Sequence, residues 1–151
     1  MTPTTFDTEF QRLTTEMVEI AFEYIGRNKE EVEGIYICGS MENDMYSYNV
    51  FYQINKTKVK KQDVNNFLTQ KVDTSSQMQH SLMGTGNEML LDLSDVFINA
   101  NREVPTLLKM VYHPQTGSFD CDIIYEPQYS NHPEWTDADV FENWYNQEKE
   151  S

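Results

Sequence analysis

Histidine and cysteine are the residue types whose spacing most readily reveals a metal centre or a nucleophile. His80, His113 and His132 stand apart from one another, and the sequence contains no HxH, HExxH, CxxC or GxSxG pattern. Cys38 and Cys121 each lie in a strand-like run, which is typical of buried free thiols. These residue types therefore predict no metal site, no cofactor site and no catalytic residue.

Carboxylates offer a second kind of chemistry because the chain contains 25 Asp and Glu residues. Asp120 and Asp122 are two positions apart in a predicted strand, so their side chains share one face of the sheet. With Glu126 they could form a divalent-cation site, which would make the protein a carboxylate-based enzyme. A solvated sheet face that discourages unwanted strand pairing is the simpler interpretation.

Charge restricts the partners of this chain. The 25 acidic residues exceed the 11 Lys and Arg, giving a net charge of −14 and an isoelectric point near 4.4. Such a balance argues against nucleic acid and anionic membranes as partners, because phosphate binding requires cations. No apolar run approaches the roughly 20 residues of a membrane span. Because residues 1–5 begin neither a basic nor an apolar stretch, we expect a cytoplasmic protein.

The acidic residues are concentrated near the end of the sequence. Residues 120–150 contain nine acids and one base, Lys149, with six aromatic residues interspersed. Charge speeds the encounter with a basic protein and aromatic side chains anchor it, so this composition favours protein binding. The predicted partner-binding residues are Asp120, Asp122, Glu126, Glu134, Trp135, Asp137, Asp139 and Glu142.

Hydrophobic periodicity predicts the helices that must position these residues. Apolar residues spaced 4, 3, 4, 3 and 4 apart predict a helix over residues 6–25, and helical spacing recurs over 88–101 and 137–147. Residues 62–87 fit neither period well. We predict a short helix at 63–72, followed by a loose segment whose Gly84-Thr85-Gly86 sequence acts as a flexible linker.

Four strand-like runs complete the predicted fold. Residues 34–39 and 46–54 form one β-hairpin, which is followed by a basic patch at 56–61. Residues 106–113 and 118–125 form a second hairpin around a Pro-Gln-Thr-Gly turn. The prediction is a single α+β domain over 1–151, with an antiparallel sheet built from two β-hairpins and helices packed on one face, in the order α-ββ-(α)-α-ββ-α.

Several stretches resemble the YezG-like antitoxin and immunity protein family. They are the Leu/Asp-rich helix LDLSDVF at 91–97, the break REVPT at 102–106 and the strand FDCDIIY at 119–125. A helix followed by an aromatic-rich hairpin, here at residues 46–52, is also similar to that family. The resemblance implies a small, acidic, cytosolic bacterial protein that neutralises a cognate toxin, often a secreted nuclease, without catalytic residues of its own.

The sequence as a whole therefore predicts a non-enzymatic immunity protein. Its partner would be a basic, nuclease-type toxin, and the chain itself would be a monomer or a weak homodimer. Nuclease sites are cationic because they hold phosphates, and clustered carboxylates can take the place of those phosphates. Two alternatives stay open: the divalent-cation enzyme, and an adaptor that self-associates through the aromatic hairpin at 46–54.

Overall fold

A five-stranded antiparallel sheet lies at the centre of the computed structural model, which describes residues 5–150. The order of strands across the sheet is β3-β2-β1-β4-β5. The α+β class and the antiparallel sheet are confirmed. The strands are β1 (Val32–Ser40), β2 (Ser47–Ile54), β3 (Thr57–Lys60), β4 (Leu107–His113) and β5 (Ser118–Ile124); the α-helices are α1 (Thr5–Tyr24), α2 (Ser76–Asn99) and α3 (Asp137–Glu150); short 3₁₀ helices occupy Glu42–Asp44 and Lys61–Asn66.

The predicted pair of hairpins is incomplete, because the basic patch contains a third strand on the first hairpin. Asn55 and Lys56 form the two-residue loop between β2 and β3, and both have positive φ angles, as a type I′ turn requires. Val59 is buried in the core, whereas Lys58 and Lys60 alternate onto the other face of the sheet. The sequence does not predict this short strand, because the lysines of residues 56–61 are typical of a charged surface patch.

Helices cover both faces of the sheet, so the prediction that they all pack on one face is wrong for α3. Ile35 and Ile37 of β1 belong to the core under α1 and α2, which we call the α1–α2 face. Tyr36 and Cys38 alternate to the opposite side and pack with α3, on what we call the α3 face. A central strand buried on both sides reads as an uninterrupted apolar run, as residues 35–38 of β1 do.

The polar segment before residue 88 also folds differently from the prediction. In the predicted 63–72 helix only residues 63–66 are helical, and they belong to the 3₁₀ helix Lys61–Asn66. The next helix begins at Ser76, where the Ser75 hydroxyl accepts a hydrogen bond from the Met78 backbone N–H, and it continues through Gly84-Thr85-Gly86. The predicted flexible linker is therefore wrong. Gly86 is required by a close approach, since a Cβ there would lie 2.0 Å from Cγ of Tyr48.

Two buried tyrosines of β2 hold α1 across the α1–α2 face. The Tyr48 hydroxyl donates to the Met17 carbonyl oxygen at 2.6 Å, and the Tyr52 hydroxyl donates to the Ala21 carbonyl oxygen at 2.7 Å. The two acceptors are one helical turn apart, so both lie on the same side of α1. These bonds fix the position of α1 along the sheet in addition to its apolar packing.

An aromatic cluster around Phe51 holds α3 on its face of the sheet. Trp144 and Tyr145 approach Phe51 edge-on, with ring centroids 5.1 and 5.2 Å from its own. The Tyr145 hydroxyl also donates to the Lys58 carbonyl oxygen at 3.1 Å. The aromatic residues of α3 are therefore buried where they dock the helix on the sheet, and they are not available to anchor a partner.

Candidate functional site

Strand β5 carries the first two predicted partner-binding residues on the α3 face. In the register with β4, Asp122 lies opposite Lys109 and Asp120 lies opposite Val111. Val111 packs against the α3 cluster, which fixes the side of the sheet to which both carboxylates belong. Asp120 and Asp122 are exposed and share one face, as their spacing predicts.

A buried carboxylate outside the predicted set anchors the loop that leads from β5 to α3. Glu42 is only 4% exposed, and its carboxylate accepts backbone N–H bonds from Gln128, from Tyr129 at 2.9 Å and from Ser130 at 2.9 Å. The Tyr129 hydroxyl returns a bond to the Glu42 carbonyl oxygen at 3.0 Å. The loop that holds Glu126 and Glu134 is therefore fastened to the end of β1.

The same bonds set the pKa of Glu42. Burial alone would raise it, but the backbone donors of Tyr129, Ser130 and Gln128 outweigh burial and lower the pKa below that of an ordinary glutamate. The carboxylate is therefore ionised at neutral pH. Nothing in the sequence marked this residue, which lies in a polar turn.

Trp135 is an exposed aromatic residue in the loop between β5 and α3. Its indole ring is stacked on the ring of His132 with centroids 5.0 Å apart, and the residue is 36% exposed. His132 Nδ1 accepts backbone N–H bonds from Glu134 at 3.2 Å and from Trp135 at 3.1 Å. These contacts hold a large side chain in place while leaving part of it open to a partner.

The predicted residues on α3 divide into two groups. Asp139 caps its own helix, because its Oδ2 accepts the Thr136 backbone N–H at 2.8 Å, and Asp137 is likewise half-buried in the first turn. Glu142 pairs with Lys60 of β3, with Nζ 2.7 Å from its carboxylate. Since β3 and β5 are opposite edges of the sheet, the structure does not bring Glu142 together with the β5 carboxylates.

Five of the predicted residues are exposed on β5 or on the loop between β5 and α3, and we call them the acidic surface: Asp120, Asp122, Glu126, Glu134 and Trp135. Among the described residues, none of its four carboxylates lies within 4 Å of a Lys, Arg or His nitrogen. Residues 120–139 contain six acids and no Lys or Arg. Lys109, the cation opposite Asp122, has its Nζ 5.7 Å from the ring centroid of Trp144. The surface therefore keeps its negative charge.

Neither a metal centre nor a reactive thiol is assembled in residues 5–150. No group of three or more His, Cys, Asp or Glu residues is placed to hold a metal ion there, so Asp120, Asp122 and Glu126 are not gathered into such a site. Burial raises the pKa of Cys38 to about 12 and that of Cys121 to about 11, so both thiols are protonated at neutral pH.

The aromatic hairpin at 46–54 is mostly internal. β2 lies between β1 and β3, and its apolar residues Val50, Phe51 and Tyr52 are buried. These side chains are therefore not available as a self-association surface in the folded chain. Across residues 5–150, the structure contains no helix that combines the length and apolar character needed to cross a membrane.

No protein-family model matches this chain, and the search of curated proteins finds no similar sequence.

Proposed function

We propose that this protein is a non-enzymatic antitoxin or immunity protein that acts in the cytoplasm. It binds a cognate basic toxin of the nuclease type through the acidic surface. The observation that carries this proposal is the set of exposed carboxylates without ion-pair partners on β5 and on the loop that follows it, a loop that also holds an exposed, fixed tryptophan. The resemblance of residues 91–97, 102–106 and 119–125 to YezG-like antitoxins supports the same role.

Four acidic residues on α1 provide a contrast to the acidic surface, because their side chains are exposed but paired with nearby arginines. Arg12 pairs with Glu9 at 2.7 Å and with Glu16 at 3.2 Å, and Arg27 pairs with Glu19 and Glu23 at 2.8 Å. Arg12 within α1 and Arg27 just beyond it thus supply local counter-charges for these four carboxylates. The carboxylates of the acidic surface have no such counter-charges, so their field extends into solvent and attracts a basic partner.

Electrostatics also suits the biological task. A nuclease needs a cationic cleft to hold phosphates, and carboxylates can engage the same Arg and Lys side chains through charge-assisted hydrogen bonds. Long-range attraction raises association rates by orders of magnitude at low ionic strength, which helps an inhibitor to capture a toxin before it acts. Trp135 supplies the aromatic anchor that interfaces of this kind contain.

The test uses the gene next to the one that encodes this chain. Its product is expressed alone and together with this protein, and cell growth is followed. The proposal expects growth to stop with the neighbour alone and to resume with co-expression, and it expects the two purified proteins to form a complex whose association slows as salt is added. A harmless neighbour, or toxicity unchanged by this chain, would contradict the proposal.

Charge reversal then locates the interface. D120K/D122K should slow association and reduce protection, because it reverses two charges of the acidic surface. D92K/D95K is the matched control: it makes the same change in net charge at two exposed positions of α2. Equal loss in both variants would show that only the net charge matters and that the interface is misplaced.

A calorimetric titration separates this proposal from the enzyme alternative. Mg²⁺, Mn²⁺ or Ca²⁺ added to the purified protein should give no saturable heat at stoichiometric concentrations. A tight, stoichiometric response that is lost in D120K/D122K would favour a cation-dependent activity instead.

A further inference from the structure

Strand β5 is an open edge of the sheet. No strand lies beyond it in the part of the chain that the structure describes, so one side of its backbone has no neighbouring strand to supply hydrogen bonds. It is seven residues long, and it contains neither proline nor lysine, the residues that most often blunt such edges. An edge of this kind is a template for a further strand.

The α1–α2 side of this edge is apolar and uncovered. Phe119 is 41% exposed, Ile123 is 40% exposed and Tyr125, just beyond the strand, is 43% exposed. Their spacing of two and four residues places all three on one side of the strand. A large apolar stripe exposed along a strand edge marks a surface that a partner covers.

An open groove begins where this stripe meets α1. Thr15, Val18 and Phe22 of α1 line one wall, and Tyr112 and Phe119 line the other, around a cavity of about 330 Å³. The groove is therefore lined by the same β5 side chain that starts the apolar stripe. Its size suits one or two aliphatic side chains from a strand lying alongside β5.

The other side of β5 selects the charge of that strand. Asp120 and Asp122 alternate with the apolar stripe and point to the α3 face. If two copies of β5 paired antiparallel about Cys121, each Asp120 would lie opposite an Asp122 of the second copy, which is destabilising. A strand with Lys or Arg at these positions would instead be attracted, so the same two residues reject one partner and favour another.

In contrast to β5, the opposite edge strand β3 is protected from pairing with a further strand. β3 is only four residues long, its Lys60 is held by Glu142 at 2.7 Å, and a main-chain acceptor of Lys58 is already used by the Tyr145 hydroxyl. A short edge that carries lysines and is covered by a side chain is well protected. The open edge is therefore β5.

We propose that β5 takes up an extended segment of the partner protein as a sixth strand. The segment alternates Lys or Arg, facing Asp120 and Asp122, with apolar residues that cover the Phe119–Ile123 stripe and enter the groove beside α1. This inference rests on the proposed function for the identity of the partner and adds the part of the toxin that is recognised. Main-chain hydrogen bonds supply affinity, and the two alternating faces supply specificity.

The first experiment uses a synthetic probe and the whole chain. The acetylated and amidated peptide Thr-Lys-Val-Lys-Ile-Lys-Thr matches β5 in length and is compared with Thr-Glu-Val-Glu-Ile-Glu-Thr by isothermal titration calorimetry at low salt. The lysine peptide should bind at least about tenfold more tightly, a difference that two well-placed charge pairs can supply. No binding of the lysine peptide at millimolar concentration would overturn the proposal.

Charge reversal in the protein should exchange the two peptides. D120K/D122K should bind the glutamate peptide and lose the lysine peptide, whereas D92K/D95K should keep the wild-type preference. The gain of binding by the variant shows that it is folded. Unchanged preference in D120K/D122K, or the same change in D92K/D95K, would place the peptide elsewhere.

Backbone methylation distinguishes strand addition from side-chain attraction. In an extended peptide, alternate N–H groups point to opposite edges, so N-methylation of the three lysines and N-methylation of the alternating Val, Ile and second Thr block different edges. One methylated peptide should lose at least about tenfold in affinity and the other should bind nearly as before. Equal effects of the two patterns would overturn the strand-addition mode.

The alternative to a partner segment is a second copy of this chain, whose β3 would pair with β5 in a head-to-tail arrangement. Sedimentation over a range of concentrations tests this. Association that D120K/D122K abolishes would assign the edge to self-pairing and overturn the proposal. The peptide and sedimentation experiments need no toxin, so their outcome does not depend on the proposed function. Hydrogen exchange in a neutralising complex distinguishes the two proposals. If the β5 amides exchange as fast in the complex as in the free chain, the immunity role stands and only strand addition is overturned.

Discussion

The two faces of the sheet are held by different means. On the α1–α2 face, α1 is bonded to β2 through two buried tyrosine hydroxyls, and α2 approaches β2 so closely that Gly86 has no room for a side chain. On the α3 face, one helix of 14 residues rests on aromatic contacts, one ion pair and a loop fastened by Glu42. We infer that the first face sets global stability, whereas the second presents the acidic surface and depends on few contacts.

The sharpest way to break the α1–α2 face is Gly86→Ala. The new methyl group would overlap the Tyr48 ring, so either the ring or α2 must move, and we expect the free energy of unfolding to fall by about 3 kcal/mol or more. Urea denaturation followed by circular dichroism measures the loss. A variant as stable as the wild type would show that α2 does not pack on Tyr48 in this way.

Trp144→Ala tests whether the α3 face can loosen by itself. The substitution removes a buried ring that contacts Phe51 and Tyr36, which costs about 3 kcal/mol. We expect faster hydrogen exchange in α3 and in residues 125–136, while α1 and α2 keep their protection. If exchange rises equally in α1, the two faces unfold as one unit.

Glu42→Gln weakens the loop that carries the acidic surface. The amide keeps an acceptor oxygen but loses the negative charge, so we expect a loss of about 1–2 kcal/mol and faster exchange of the amides at Tyr129 and Ser130. Partner binding should weaken as well, although no residue of the acidic surface is changed.

Acid should erase the difference between Glu42→Gln and the wild type. Because folding lowers the pKa of Glu42, its stabilisation is fully present above the ordinary glutamate pKa and is lost as the pH falls through the lowered folded value. Denaturation at a series of pH values measures this. A stability gap that stays constant down to strongly acidic pH would mean that the carboxylate does not hold the loop through its charge.

Gly84→Ala has the smallest expected effect and the opposite sign. A Cβ at Gly84 meets nothing within 4 Å, and alanine is the better helix former, so stability should rise by about 1 kcal/mol. Gly84 and Gly86 differ by two positions in the same helix, so the pair is a matched test of packing against propensity. If Gly84→Ala lowered the stability instead, the space beside Gly84 would not be open as the structure shows it.

The elements that periodicity predicts well are those whose partner lies on one side. α1 shows a clean helical stripe, and its predicted range of 6–25 differs from Thr5–Tyr24 by one residue at each end. The sequence predicts α2 from residue 88 only, because Gly84 and Gly86 have low helix propensity. Gly86 is favoured by the close contact of its backbone with Tyr48, and that residue is 38 positions away in sequence. β3 was hidden because its lysines suggested a charged patch.

The candidate site divides in the same way. Spacing along one strand places Asp120 and Asp122 on a shared face, and the register confirms it. The pairing of Glu142 with Lys60, and the burial of Glu42 under the loop, join residues more than 80 positions apart. No local pattern encodes such contacts, because they depend on which face of the sheet α3 occupies.

The hydrogen bonds that the Tyr48 and Tyr52 hydroxyls donate to α1 also link the ionisation of these phenols to the unfolding of the protein at alkaline pH. Burial raises the pKa of both phenols well above the ordinary value, and a phenolate could no longer donate to the Met17 and Ala21 carbonyl oxygens. Their stabilisation is present below the ordinary tyrosine pKa and is lost as the pH rises toward the folded values. In an ultraviolet titration, the late ionisation of these two phenols would therefore coincide with the detachment of α1 from the sheet.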